Sequence, residues 1–295
     1  MVVDRFGRPI RSLRVSVTQR CNLNCIYCHR EGESNTEEEI ELEDLLKFLK
    51  LVKEYKIRKM KISGGEPLLR KDLLEFIAES SGVFKEVSMT TNGTLLEDFA
   101  QDLKDCGLSR VNVSLDTLRN EIYKKITGKD MLDKVLKGIE EAVDNDLNPV
   151  KINMVVMSLN KDEIEDLAEF SSKNSTILQL IELLKTDGNQ KFFEENYLSL
   201  SEIEEVLKKK AEKVYTRQLH NRRKYIVNGA EIEVVRPMDN SEFCMHCTRI
   251  RITSDGKIKP CLLRKDNLVD IKNKSIEEMR EAFIRAVMLR EPYFK

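Results

Sequence analysis

Six of the seven cysteines stand in two triplets near opposite ends of the chain: Cys21, Cys25 and Cys28 spaced C-x3-C-x2-C, and Cys244, Cys247 and Cys261 spaced C-x2-C-x13-C. Thiolates are soft ligands for iron–sulfur clusters and zinc. Three of them can hold three corners of a four-iron cubane and leave the fourth iron open to a small molecule. The competing assignment is a structural zinc site at each triplet, completed by His29 or His246. For the second triplet taken alone, the two readings are evenly matched. Zinc usually takes C-x2-C knuckles in a small domain, whereas the first triplet follows the first strand of a long α/β pattern. An odd total of seven cysteines does not suit a disulfide framework. Cys106, just before Gly107 at the end of an amphipathic stretch, reads as a core thiol.

Such residues need a scaffold to bring them together. Apolar, β-branched runs at 13–18, 59–63, 86–90, 110–115, 151–157 and 178–184 predict six strands, separated by helical periodicity at 41–55, 72–79, 96–106, 132–145 and 162–173. This alternation predicts an α/β fold with a parallel sheet and right-handed crossovers. Functional groups on such a sheet belong in the loops at the carboxyl ends of the strands. Cys21 after the first strand, Gly64-Gly65-Glu66-Pro67 after the second, Thr91-Asn92-Gly93 after the third and Asp116 after the fourth all fall there. Further on, a helix is expected at 201–214 and short strands at 224–227 and 231–235. A hairpin turning on Asp255-Gly256 then returns Cys261 towards Cys244 and Cys247.

The 295 residues suffice for one large domain with a smaller extension. With 50 basic and 51 acidic side chains, the bulk balance argues against a nucleic-acid footprint. Lys208-Lys209-Lys210 and Arg222-Arg223-Lys224 read as solvated faces. The first ten residues carry Asp4, Arg5 and Arg8 without the apolar stretch of a secretory signal, and no apolar run has the length of a membrane span. A cytoplasmic location with no membrane partner is expected, and in a reducing compartment clustered cysteines are metal ligands or catalytic groups.

The C-x3-C-x2-C spacing with Tyr27 before its last cysteine, together with G-G-E-P after the second strand, resembles the radical S-adenosylmethionine superfamily. The resemblance implies a partial (β/α)6 barrel of TIM type over residues 1–215, with a C-terminal extension, 216–295, carrying a second iron–sulfur site. It implies a 4Fe–4S cluster on Cys21, Cys25 and Cys28 whose open iron takes S-adenosylmethionine. Tyr27 is then expected near the adenine, Ser114 near the ribose, and Gly65 near the methionine in the turn formed with Gly64 and Glu66. The second triplet followed by Thr248-Arg249-Ile250-Arg251, and the stretch 11–18, are similar to the GTP 3′,8-cyclase family of molybdenum cofactor biosynthesis.

That similarity extends over essentially the whole chain. It implies a second 4Fe–4S cluster on Cys244, Cys247 and Cys261 that binds the guanine of GTP. The implied GTP contacts are Arg14, Lys61, Thr91, Lys151, Arg249 and Arg251, with the backbone of Ile250; Arg14, Arg249 and Arg251 are expected to be needed for catalysis. Lys59 is a further candidate. A low-potential donor (flavodoxin or ferredoxin) and the next enzyme, cyclic pyranopterin monophosphate synthase, are the implied partners, and a homodimer is compatible with the resemblance. Two positions depart from the family pattern: residues 290–295 lack paired glycines, and Leu184 stands where a methionine is usual. One rival is a peptide-modifying radical enzyme with an electron-transferring second cluster, which has no use for the Arg249 and Arg251 pair. The other is a zinc-stapled binding module without catalysis.

Overall fold

A computed structural model describes residues 1–34, 38–186 and 188–293. The six expected strands form as β1 (Ser12–Ser16), β2 (Lys59–Ser63), β3 (Glu86–Thr91), β4 (Arg110–Ser114), β5 (Lys151–Val156) and β6 (Ile177–Glu182). They lie side by side in chain order and all run parallel. Connecting them are α1 (Leu42–Glu54), α2 (Leu73–Ser81), α3 (Leu96–Asp105), α4 (Asn120–Thr127), α5 (Leu132–Asp144) and α6 (Ile164–Lys173). This is the α/β partial barrel expected.

Alternation along each strand decides which residues reach the site, because successive side chains point to opposite faces. Leu13, Val15, Met60, Ile62, Val111 and Val113 are buried in the apolar layer shared with the helices. Their neighbours Arg14, Lys61, Arg110, Asn112 and Ser114 line a cavity on the other face. The helices answer with apolar stripes: α5 buries Leu132, Val135, Ile139 and Ala142 at helical spacing.

Past β6 come α7 (Gln190–Asn196), α8 (Leu200–Lys210), β7 (Lys213–Thr216), β8 (Arg223–Val227) and β9 (Ala230–Val235). The chain then forms α9 (Ser241–Met245), β10 (Arg249–Ile252), β11 (Lys257–Lys259), β12 (Val269–Asp270) and α10 (Ile276–Met288). The helix expected to reach residue 214 stops at Lys210, because Ala211 turns extended and residues 213–216 pair antiparallel with β8. Among the described residues the sheet runs β12-β11-β10-β1-β2-β3-β4-β5-β6-β9-β8-β7. Both joins to the barrel strands, β10 to β1 and β9 to β6, are parallel. Helix α10 starts with a capping box between Ser275 and Glu278. Cys106 packs against the core but is only partly buried, at the end of α3. Among the described residues no helix is long and apolar enough to cross a membrane.

Candidate active site

The loop after β1 is pinned to the turn after β2. Gly65 donates its N–H to the Thr18 carbonyl at 2.7 Å and Glu66 donates to the Arg20 carbonyl at 2.8 Å. A Cβ on Gly65 would stand 2.2 Å from the Arg20 carbonyl oxygen, so glycine alone allows this approach. With those N–H groups engaged, the carbonyls of Gly64 and Gly65 are the groups suited to an ammonium. Glu66 is fully buried and accepts bonds from Thr91 Oγ1 (2.8 Å), Asn92 N–H (2.7 Å) and Leu68 N–H (3.2 Å). Burial lifts its carboxyl to about 7 despite these donors. Thr91 therefore directs its hydroxyl to Glu66. Tyr27 donates to Asp116 at 2.7 Å, and Asp116 also accepts the Val155 N–H at 2.8 Å, which ties the cysteine loop to β4 and β5.

All six clustered cysteines are free thiols. Leu23 N–H approaches Cys21 Sγ at 3.5 Å and Arg30 N–H approaches Cys28 Sγ at 3.4 Å. The same two-residue turn recurs in the second triplet, where the backbones of Arg249 and Leu263 bond to Cys247 and Cys261. Cys244 lies in α9 and Cys247 precedes β10, while β11, antiparallel to β10, delivers Cys261 beside them. Because β10 runs parallel to β1, Cys247 lies at the amino end of the strands and Cys21 beyond their carboxyl end. The two triplets thus line opposite ends of one cavity of ≈ 390 Å³.

These donors fit thiolate-held clusters, which take hydrogen bonds at their sulfurs. Among the described residues no three His, Cys, Asp or Glu side chains are grouped to hold a single metal ion; a four-iron cluster spreads its ligands more widely. His246, the proposed zinc ligand, keeps Nδ1 2.9 Å from the Glu242 carbonyl of its own helix. Burial would raise the Cys247 thiol, but Arg290, Arg249 and Arg251 outweigh it and lower it.

Cations line the cavity between the triplets. In register, Arg14 stands beside Lys61 on one side and Arg251 on the other. Glu31, three residues past Cys28, accepts from Arg14 at 3.0 Å and from Arg251 at 3.4 Å. Burial would raise its carboxyl, but the two arginines hold it at about 2. Lys61 donates to Asn112 at 2.7 Å, and burial together with Arg110, Arg14 and Arg249 pushes its amine well below the ordinary value. Burial likewise lowers Arg249, reinforced by Arg14 and Arg251. Lys151 pairs with the fully buried Glu233, which also holds Arg217 at 2.9 Å and Arg222 at 3.1 Å. Ser114 and Leu184 line the same cavity, while the side chain of Ile250 packs in the core and its backbone lies in register with Leu13 of β1.

Two sequence readings need correction. Lys59 is outside the cavity: its side chain is 61% exposed and pairs with Glu86 at 2.6 Å. Arg222 is not on a solvated face, because its side chain is only 10% exposed and bonds to Glu233; Lys208, Lys209 and Lys210 are exposed as expected. Glu31, Arg217, Glu233 and Asn112 were missed. The alternation Arg-Val-Asn-Val-Ser in β4 did signal a polar inner face, whereas nothing around Glu31 marked it. Tyr293 borders the cavity, and Phe294 and Lys295 lie outside the described residues.

A cysteine loop beyond the first strand of a partial barrel, braced by a glycine turn from the second, defines a radical S-adenosylmethionine fold. The radical SAM superfamily model matches residues 15–171, and the model described as Molybdenum Cofactor Synthesis C matches residues 176–295. A relative from Methanocaldococcus jannaschii, named "Probable GTP 3',8-cyclase", is 51% identical, with 99% of each chain covered. One of the same name from Archaeoglobus fulgidus is 49% identical, with 100% of each chain covered. Among solved structures, anSMEcpe with bound AdoMet has the same fold, with a TM-score of 0.67 at 19% identity over 94% of this chain and 82% of that one. The chain belongs to the radical SAM superfamily and, within it, to the family of these GTP 3′,8-cyclases. Membership implies a 4Fe–4S cluster and S-adenosylmethionine.

Proposed function

We propose that the protein converts GTP into (8S)-3′,8-cyclo-7,8-dihydroguanosine 5′-triphosphate, the first step of molybdenum cofactor biosynthesis. In this reading Cys21, Cys25 and Cys28 hold the cofactor-binding cluster within residues 1–215, and Cys244, Cys247 and Cys261 hold a second, guanine-binding cluster within residues 216–295. The observation that carries it is the band of Arg14, Lys61, Arg249 and Arg251 lining the cavity between the triplets. So many cations on one inner wall suit an arriving polyanion, and arginine offers paired donors shaped for phosphate oxygens.

Held by Cys21, Cys25 and Cys28, a bound cluster would supply the electron for reductive cleavage of S-adenosylmethionine and with it the means to take hydrogen from C3′ of GTP. The chain supplies position. Tyr27, Ser114 and the carbonyls of the Gly64-Gly65 turn bind the cofactor, with Glu66 fixing that turn to β3 through Thr91. Arg14, Lys61, Lys151, Arg249 and Arg251, with Thr91 and the backbone of Ile250, hold the nucleotide so that C3′ and C8 meet. Flavodoxin or ferredoxin serves as donor, and cyclic pyranopterin monophosphate synthase receives the product.

An anaerobic assay with reductant, S-adenosylmethionine and GTP tests this. The expected outcome is formation of 5′-deoxyadenosine together with the cyclic nucleotide. Cofactor cleavage by the unaltered protein that yields no cyclic nucleotide in the presence of GTP would reject the reading in favour of a peptide substrate.

A further inference from the structure

The first residues of the chain and the segment after α10 meet beside the second cysteine triplet. Arg8 donates through Nη1 to the Cys244 carbonyl at 2.9 Å, and Arg290 donates through Nη2 to the Cys247 carbonyl at 2.6 Å. Both arginines converge on Asp4 Oδ2, each at 2.8 Å. Asp4 also accepts the N–H groups of Phe6 at 2.9 Å and Arg8 at 3.0 Å, which folds the first residues into a strap. All three side chains are buried: Asp4 and Arg8 are 5% exposed and Arg290 is 1% exposed.

Burying two guanidiniums against one carboxylate is costly unless the remaining donors are used. Here one donor of each arginine goes to the backbone of a different cysteine in the C-x2-C turn. The turn's two carbonyls are thus held by one rigid, charged bracket. Arg8 Nη2 and Arg290 Nε are buried without a protein partner among the described residues, and both arginines line the cavity. Such leftover donors suit a sulfur-rich anion held by the same turn.

We propose that Asp4, Arg8 and Arg290 form a clamp that holds the Cys244–Cys247 turn in its ligating shape, so that the second metal centre assembles only while the clamp is intact. These are positioning residues, acting on the metal through the cysteine backbone. The proposal rests on the reading of the second triplet as a metal centre.

The test is metal analysis of full-length, anaerobically prepared Arg290→Ala and Asp4→Asn variants, with iron, sulfide and zinc counted per chain. Cofactor cleavage without GTP reports the first site, and circular dichroism reports the fold. With the clamp broken, iron is expected to fall from about eight to about four per chain. GTP cyclisation should fall in step with the second-site iron, to none where that site is empty, while cofactor cleavage persists. A folded variant with its full metal complement would overturn the clamp, as would equal loss from both triplets. Should Arg290→Ala fail to fold, Arg290→Met decides: its unbranched chain keeps most of the buried bulk but donates to neither acceptor, so loss of second-site metal is expected and full retention overturns the proposal. Zinc rather than iron at the second triplet of the unaltered protein would sink the cluster reading instead, and the clamp would then be judged by loss of that zinc.

Discussion

Among the described residues Glu31 is the carboxylate that accepts from both Arg14 and Arg251, and it comes from the cysteine loop rather than from a strand. Its backbone adopts φ +52°, a left-handed conformation that a non-glycine residue holds only when its surroundings impose it. Without nucleotide, the carboxylate neutralises the cations assigned to the triphosphate; with nucleotide, the two anions compete. Glu31→Gln keeps the shape and removes that competing charge. GTP binding, measured by anaerobic calorimetry, is expected to tighten about tenfold, roughly 1.4 kcal/mol. Weaker binding would show that the charge of Glu31 serves instead to orient the arginines.

Between elements, the corresponding knot is Glu233 on β9. It gathers Lys151 from β5, Arg217 from the segment after β7 and Arg222 from just before β8, and so fastens the later strands to the barrel. Burial would raise Glu233, but Arg222, Lys151 and Arg217 outweigh it and hold the carboxyl at about 2, below its ordinary 4.5. A depressed acid stabilises the fold fully above its unfolded value and loses that contribution as pH falls through its folded one. Denaturant midpoints of the wild type should therefore decline as pH drops from about 4.5 towards 2. Glu233→Gln should cost about 3–5 kcal/mol at neutral pH, because it leaves buried cations without their counter-charge. It should also flatten the acid decline, leaving the part that belongs to Glu31 and the other lowered carboxyls such as Asp266. An unchanged acid profile would remove Glu233 from the account.

Across the whole molecule, what was legible in the sequence was whatever local period or spacing encodes. Six strands and five of the six helices between them followed from runs of two kinds of periodicity, α4 being the exception, and the cysteines, the glycine turn and the inward arginines fell into place on them. Contacts between distant residues left no such trace: Asp4 and Arg290 are 286 positions apart, and β10 beside β1 joins the two ends of the chain into one sheet. That join sets one triplet at the amino end of the strands and the other beyond their carboxyl end, each with its thiols on its own loops. Each should then assemble without the other. Cys244→Ala is expected to keep about four irons per chain and to cleave S-adenosylmethionine without forming cyclic product. Cys21→Ala should retain the iron of the second site and lose cleavage altogether. If either single change emptied both sites in a chain that still folds, the cavity would have to be one coupled metal site rather than a channel with a centre at each end.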